Sequence, residues 1–368
     1  MGRGGTTMTL LDPSIDHHHP GDDDPQSHGP VVEEIEGLIK VFRDGLASRP
    51  SIVPFVSPSL PLGTGVESQD AVIDRFTNVW ARLYAPTCQV EYKAKITAKL
   101  PLVVYFHGGG FCVGSPAWSC YHEFLARLTL EANICVVSVN YRLAPENPLP
   151  AAYEDGFKAL KWLKQQALLP CNSLWPTGRR GWTRQCDFSR VFLAGDSAGA
   201  NIAHNLAARL ASNNSFEAMS LRPLELKGTI LLQPFFGGEE RTESEKSLVQ
   251  PSRSALSLDA SDTYWRLALP SGANRDHPWC NPATAYNHGP QGRLEDLMLP
   301  PTMVCISEKD ILRDRNLQFC RAMAAAGKVV EDVVYEDVGH AFQVLSKSQV
   351  AQARTKEMMS HIRSFINQ

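Results

Sequence analysis

Residues 190–204 read RVFLAGDSAGANIAH, and the fold turns on how this stretch is read. It opens on a short apolar run, 190–194 (RVFLA), of the kind that suits a strand buried on both faces. Residues 198–210 then place Ala, Ile and Leu at helical spacing. Between the two, Gly195-Asp196-Ser197-Ala198-Gly199 fits G-x-S-x-G. The glycines relieve crowding at a sharp strand-to-helix turn. Such a turn lifts the serine hydroxyl above the sheet and sets it at a helix N-terminus, where developing negative charge is favoured. The five-residue pattern alone is a common Gly/Ser turn. A strand directly before it and a helix directly after it make it a nucleophile elbow.

Outward from this stretch the alternation repeats. Residues 102–106, 134–139, 228–232 and 302–306 are further short apolar runs, and 333–335 is strand-like. Residues 121–130, 151–166, 313–326 and 348–366 carry helical spacing. This order predicts an α/β fold, with a mostly parallel central sheet flanked by helices and its chemistry at the carboxyl ends of the strands. Residues 171–186 read as a surface loop, and 234–296 contain one short helix, near 258–269, among many turn residues. Toward the N-terminus, Val31, Val32, Ile35, Leu38, Ile39, Phe42 and Leu46 fall at helical spacing, with Glu33, Glu34 and Glu36 early, so a helix is expected over 31–46. Residues 50–69, rich in Pro, Ser and Gly, read as an extended connection. Excursions of this length usually cover something. Cap elements are therefore expected from about 31–70 and 240–280, on one domain spanning 31–368. Residues 1–30, which include the runs HHH at 17–19 and DDD at 22–24, read as a disordered polar tail.

A serine nucleophile needs a base, an acid behind the base and donors for an oxyanion. Three successive glycines follow the run 102–106 in His107-Gly108-Gly109-Gly110-Phe111. Bare backbone there lets the N–H groups of Gly109 and Gly110, with that of Ala198, point at one oxygen. No Lys-Ser/Thr pair follows, which argues against a phosphate loop. His107 reads as a structural hydrogen-bonder. Asp310 follows the run 302–306, and His340 follows 333–335 in Val338-Gly339-His340-Ala341-Phe342. The order Ser, Asp, His is the one this elbow requires. His340 is thus the candidate base and Asp310 the residue that orients it. Glu308 and Asp314 are rival acids, one too near the strand end and the other inside the next helix.

Composition narrows the partners. Of 368 residues, 43% are hydrophobic and 20% charged, enough apolar material for a sizeable core. A net charge of −3 leaves no basic excess for a phosphate backbone, so nucleic acid is excluded as a partner. The nine cysteines form no CxxC or Cys/His spacing, so neither metal nor cofactor is expected. Scattered cysteines fit a reducing compartment, the cytoplasm with or without the nucleus, and Cys171 and Cys186 read as free thiols. There is no secretory h-region and no apolar run long enough to span a bilayer. Met1-Gly2 with Thr6 matches a myristoylation pattern only loosely.

HGGGF at 107–111, NYRLAPE at 140–146, GDSAGANIAH at 195–204 and the Asp310 and His340 segments resemble the hormone-sensitive-lipase branch of the α/β hydrolases. GGEERTESE at 237–245 and HPWCNP at 277–282 make the chain more similar still to plant carboxylesterases related to the gibberellin receptor. The likeness covers about residues 31–366. It implies the α/β-hydrolase fold, a Ser197–His340–Asp310 triad, oxyanion donors at Gly109, Gly110 and Ala198, and an N-terminal lid. The receptors of this group keep the pocket and the serine but lack the histidine. His340 therefore implies an esterase rather than a non-catalytic hormone receptor. A small ester is the expected partner, in an apolar pocket near Phe111, Tyr141, Phe235 and Phe236. The sequence leaves protein partners open.

Overall fold

The structure, a computed structural model, describes residues 29–59, 65–87, 99–169, 182–212, 216–248, 250, 254–285 and 293–368. The strands are β1 (Val31–Ile35), β2 (Ile39–Phe42), β3 (Ala47–Ser48), β4 (Val66–Asp74), β5 (Val79–Pro86), β6 (Leu100–Phe106), β7 (Cys135–Asn140), β8 (Cys186–Asp196), β9 (Leu226–Leu232), β10 (Thr302–Ser307) and β11 (Val330–Tyr335). The last eight form one sheet in the order β11-β10-β9-β8-β6-β7-β5-β4. Strands β6 to β11 are parallel, and β5 and β4 add antiparallel at one edge.

The helices are α1 (Ser119–Ala132), α2 (Ala151–Leu168), α3 (Ala198–Leu210), α4 (Phe216–Ser220), α5 (Glu243–Ser247), α6 (Leu258–Ala268), α7 (Pro282–Ala285), α8 (Arg313–Ala325), α9 (Phe342–Leu345) and α10 (Gln349–Ile366). They cover both faces of the sheet. Val103 and Tyr105 of β6 pack with Phe124 and Leu128 of α1 and Met358 and Ile362 of α10. Leu102, Val104 and Phe106, one step out of phase, pack with Leu163 of α2, Ile202 and Leu206 of α3 and Phe319 of α8. Alternate side chains enter opposite layers. Burial on both faces is why these strands read as continuous apolar runs.

Four segments depart from the sequence reading. Residues 234–296, expected to hold one short helix, also carry α5 and α7 beside α6; both are single short turns of helix, too brief to show apolar periodicity. Residues 31–46, expected as a helix, lie in the three-stranded antiparallel sheet β1-β2-β3. Gly37 (φ +71°) and Gly45 (φ +87°) take left-handed turn conformations after Glu36 and Asp44, an acid-glycine signal for tight turns that outweighs the apolar spacing. Between those turns Ile39 and Val41 are buried and Lys40 is exposed, which is a period of two. The connection expected over 50–69 gives way at Val66 to β4, which pairs with β5. Arg82, fully buried in β5, donates to both carboxylate oxygens of Asp70 in β4, at 2.7 and 2.9 Å. A cross-strand ion pair inside the hairpin breaks the apolar run that otherwise marks a buried strand. The expected loop over 171–186 lies outside the described residues up to 181. Its end is not surface, because Trp182 is buried and Cys186, also buried, starts β8. Cys171 and the tail up to residue 28 are likewise outside the described residues, and Cys186 is a free thiol.

The GGEERTESE segment is held by buried charge. Arg315 of α8 donates to Glu245 at 2.9 Å, and the two side chains are 7% and 3% exposed. Arg315 also donates to the carbonyls of Gly238 and Glu240. Glu245 closes a capping box with Thr242 at the start of α5. Replacing Arg315 by Met would strand a buried carboxylate, an effect of about 3–5 kcal/mol. Chemical denaturation of the variant should show a loss of that size. A loss below about 1 kcal/mol would mean that water or another cation satisfies Glu245.

Candidate active site

Neighbouring strands deliver the candidate residues to one edge. Phe106 of β6 pairs with Gly195 of β8, so the loop beginning at His107 leaves the sheet beside Asp196 and Ser197. Ser307 of β10 pairs with Tyr335 of β11, so the segments carrying Asp310 and His340 also leave side by side. Lys309 N–H donates to the Val338 carbonyl at 3.0 Å and ties those two segments together.

Ser197 sits at φ 52° and ψ −119°, a strained conformation for a residue with a side chain. Such a position costs on the order of 1–3 kcal/mol and survives only when its surroundings hold it. Here the Ser197 N–H donates to the Leu232 carbonyl at 2.8 Å. The Ser197 carbonyl accepts from Asn201 N–H at 3.1 Å and from Phe235 N–H at 3.0 Å. Gly199 is needed for the turn to pack, since a Cβ there would run into the Phe106 carbonyl.

His340 Nε2 lies 2.9 Å from Ser197 Oγ, and its Nδ1 lies 2.6 Å from Asp310 Oδ2. All three residues are buried, with 5% of Ser197, 8% of His340 and 1% of Asp310 exposed. The other oxygen of Asp310 accepts from Leu312 N–H at 3.0 Å. Burial pulls the His340 imidazolium down. The Asp310 carboxylate against Nδ1, joined by Asp196, more than offsets this and leaves the histidine above its ordinary 6.5. Neither rival acid is engaged with His340: Glu308 accepts from Asp337 N–H at 2.9 Å, and Asp314 accepts from Ser244 N–H at 2.7 Å. Ser244 in turn donates its hydroxyl to the Ile311 carbonyl at 2.7 Å, so α5 braces the segment that follows Asp310.

The backbone N–H groups of Gly109, Gly110 and Ala198 have no protein acceptor among the described residues. Gly110, at φ +59°, lies under the ring of Tyr264 from α6, where a Cβ would collide with ring carbons. His107 Nδ1 donates to the Gly108 carbonyl at 2.8 Å, and the ring stacks on Tyr141 at 4.3 Å. Burial lowers its pKa to about 4, so it stays neutral and structural. Phe111 lies against Phe235 and Trp265, and Phe235 stacks flat on Trp265 at 4.6 Å. Tyr141 donates to the His107 carbonyl at 2.8 Å. Phe236 packs on His204 and Phe319, on the α3–α8 side. All four aromatics expected at a pocket are fully buried.

Asp196, the variable position of the G-x-S-x-G pattern, was not singled out from sequence. It is buried and accepts from Tyr105 at 2.8 Å and Tyr121 at 2.9 Å, and the Tyr121 oxygen also accepts from Gly108 N–H at 2.8 Å. Asp196 thereby fastens the glycine loop to the elbow. Burial pushes its carboxyl up to about 6, against the lowering effect of the two tyrosines. Arg49, ahead of β4, donates to the Cys112 carbonyl at 2.6 Å and forks onto Glu146. It ties the N-terminal segment to the loop after the glycines. Arg266 of α6 reaches Glu33 of β1 at 3.0 Å. Among the described residues, no cluster of His, Cys, Asp and Glu could hold a metal, and no helix is long and apolar enough to cross a membrane.

A serine elbow at the carboxyl edge of a mostly parallel sheet defines an α/β hydrolase. A family model described as alpha/beta hydrolase fold matches residues 103–344. The chain is 49% identical to "Probable carboxylesterase 6" of Arabidopsis thaliana over 92% of its own length and 93% of the relative's. It is 35% identical to the gibberellin receptor GID1A of the same plant, covering 82% of this chain and 81% of the receptor. Among solved structures, an esterase of Pyrobaculum calidifontis aligns with a TM-score of 0.62 at 26% identity, covering 81% of this chain and 84% of that one. The chain belongs to the α/β-hydrolase family, in the plant carboxylesterase group of its hormone-sensitive-lipase branch.

Proposed function

We propose that this protein is a serine carboxylesterase that cleaves small and medium acyl esters through Ser197, His340 and Asp310. The observation that carries the reading is the unbroken chain from Ser197 Oγ through His340 to Asp310, at 2.9 and 2.6 Å. Ser197 Oγ attacks the ester carbonyl carbon while its proton passes to His340 Nε2. The carbonyl oxygen, now an oxyanion, accepts from the N–H groups of Gly109, Gly110 and Ala198. Collapse breaks the bond to the alcohol oxygen, which leaves with the proton from Nε2 and the acyl group on Ser197. Water then gives a proton to Nε2 and attacks the acyl carbon. The second collapse returns that proton to Ser197 and releases the acid. Asp310 holds the Nδ1 proton throughout and stabilises the imidazolium.

The sheet β1–β3 and helix α6 serve in this reading as the cap, latched by Arg49–Glu146 and Arg266–Glu33. In the same reading the packed rings of Phe111, Phe235 and Trp265 would form an apolar wall for the bound ester, with Tyr141 and Phe236 buried as its support. Such a wall favours apolar acyl or alcohol groups.

Rapid mixing with p-nitrophenyl acetate and butyrate tests the mechanism. A burst of p-nitrophenol equal to the enzyme concentration is expected, followed by slower turnover. No release from folded protein would overturn the proposal and favour a receptor of the gibberellin type.

The pH profile provides a separate check. His340 must be neutral to take the proton, and its pKa lies above 6.5. Accordingly kcat/KM should fall on acidification with a midpoint above 6.5, and a midpoint below it would contradict the Asp310 contact. The stability contribution of the same group has the opposite sense. A raised histidine stabilises the fold below its unfolded pKa, and that contribution is lost as pH rises through the folded value.

A further inference from the structure

The sheet edge opposite Ser197 carries an open cleft of about 700 Å³, where β6 and β8 begin and α1 and α10 end. Among the described residues, the cations Lys99, Arg190 and Arg363 line it and no acidic side chain does. Lys99 and Arg363 have no carboxylate within ion-pair distance among the described residues. Arg190 is fixed in the wall because its Nη2 donates to the Ile366 carbonyl at 2.8 Å. The hydroxyls of Ser360 and Ser364 add donors, and Leu100 and Pro101 add an apolar strip.

Helix carboxyl ends are the ordinary reason for basic residues in such a place. Each end carries about half a negative charge, so the ends of α1 and α10 together offset about one of the three cations. The three full positive charges of the lining side chains exceed that offset.

We propose that this cleft binds a phosphate monoester carried on a small organic group. Such a group is close to a dianion at neutral pH and matches the residual charge. Guanidinium forks suit its oxygens. The apolar strip suits a carbon skeleton, and the volume falls within the range of small-molecule sites. The site is independent of the ester chemistry at the other edge.

Titration calorimetry on the full chain at physiological ionic strength, with glycerol 3-phosphate as probe, tests the soluble form of this chemistry. Flotation with phosphatidylcholine vesicles containing phosphatidic acid tests the lipid-borne form. The comparison variant is Lys99→Gln with Arg363→Gln. Both residues are exposed and remote from Ser197, so ester turnover should be unchanged. Binding in either arm that weakens about tenfold or more in this variant, and returns in Lys99→Arg with Arg363→Lys, supports the site. The responding arm identifies the source of the phosphate. No binding in either arm, or equal binding by wild type and variant, overturns the proposal.

Discussion

Replacing Ser197 by Ala should remove hydrolysis of p-nitrophenyl butyrate, with kcat falling by about 10⁶. The serine oxygen is the atom that forms the acyl bond in the proposed mechanism, and no neighbour can take its place. The seven described cysteines lie elsewhere, and burial raises the thiols of Cys112 and Cys280, which leaves them poor nucleophiles. His340→Val should cost as much, because without Nε2 at 2.9 Å the hydroxyl keeps its proton. The two losses should not add, since the residues act as one unit. The fold should survive Ser197→Ala, because the hydrogen bonds that hold the elbow are backbone bonds. Circular dichroism and kcat on the same preparations decide the matter. If Ser197→Ala kept a tenth of wild-type kcat, the nucleophile would have to be another group.

The decisive stretch was legible because the elbow is local: strand, pattern and helix lie within residues 190–204. The segments bearing Asp310 and His340 were legible for a different reason. A parallel sheet sends the ends of its strands to one edge, so chain order and strand ends alone place the two residues near Ser197. What stayed hidden was long-range and polar. The partners of Asp196 are Tyr105, 91 residues away, and Tyr121, 75 residues away. The pair Arg82–Asp70 makes strands out of a sequence with a charge at its centre. The ion pair of Arg315 with Glu245 gives the GGEERTESE motif a structural purpose that spacing does not reveal. Apolar periodicity reports which faces are buried. It says little about buried charges, and over 31–46 the turns at Gly37 and Gly45 override the apolar spacing.

Asp310→Asn should lower kcat/KM by about 10⁴, a magnitude typical of a triad acid changed to its amide. Here the reason lies in the second oxygen of Asp310, which accepts from Leu312 N–H at 3.0 Å. An asparagine would keep that bond by turning its carbonyl oxygen to Leu312, and its NH₂ would then face His340 Nδ1. Two N–H groups cannot share that contact, so Nδ1 would have to be bare and the proton would move to Nε2. The histidine would then donate to Ser197 instead of accepting from it, and the base would be lost. The substitution also removes the larger of the two charges that favour the imidazolium, leaving Asp196 alone against burial. The acid limb of the residual activity should therefore move to lower pH. Glu308→Gln is the matched control, since Glu308 bonds to Asp337 N–H and not to His340. It should change kcat/KM by no more than about threefold, the scale of a change outside the reacting groups. Intact activity in Asp310→Asn beside a large loss in Glu308→Gln would transfer the role of the acid to Glu308, and with it the arrangement drawn here for the whole edge.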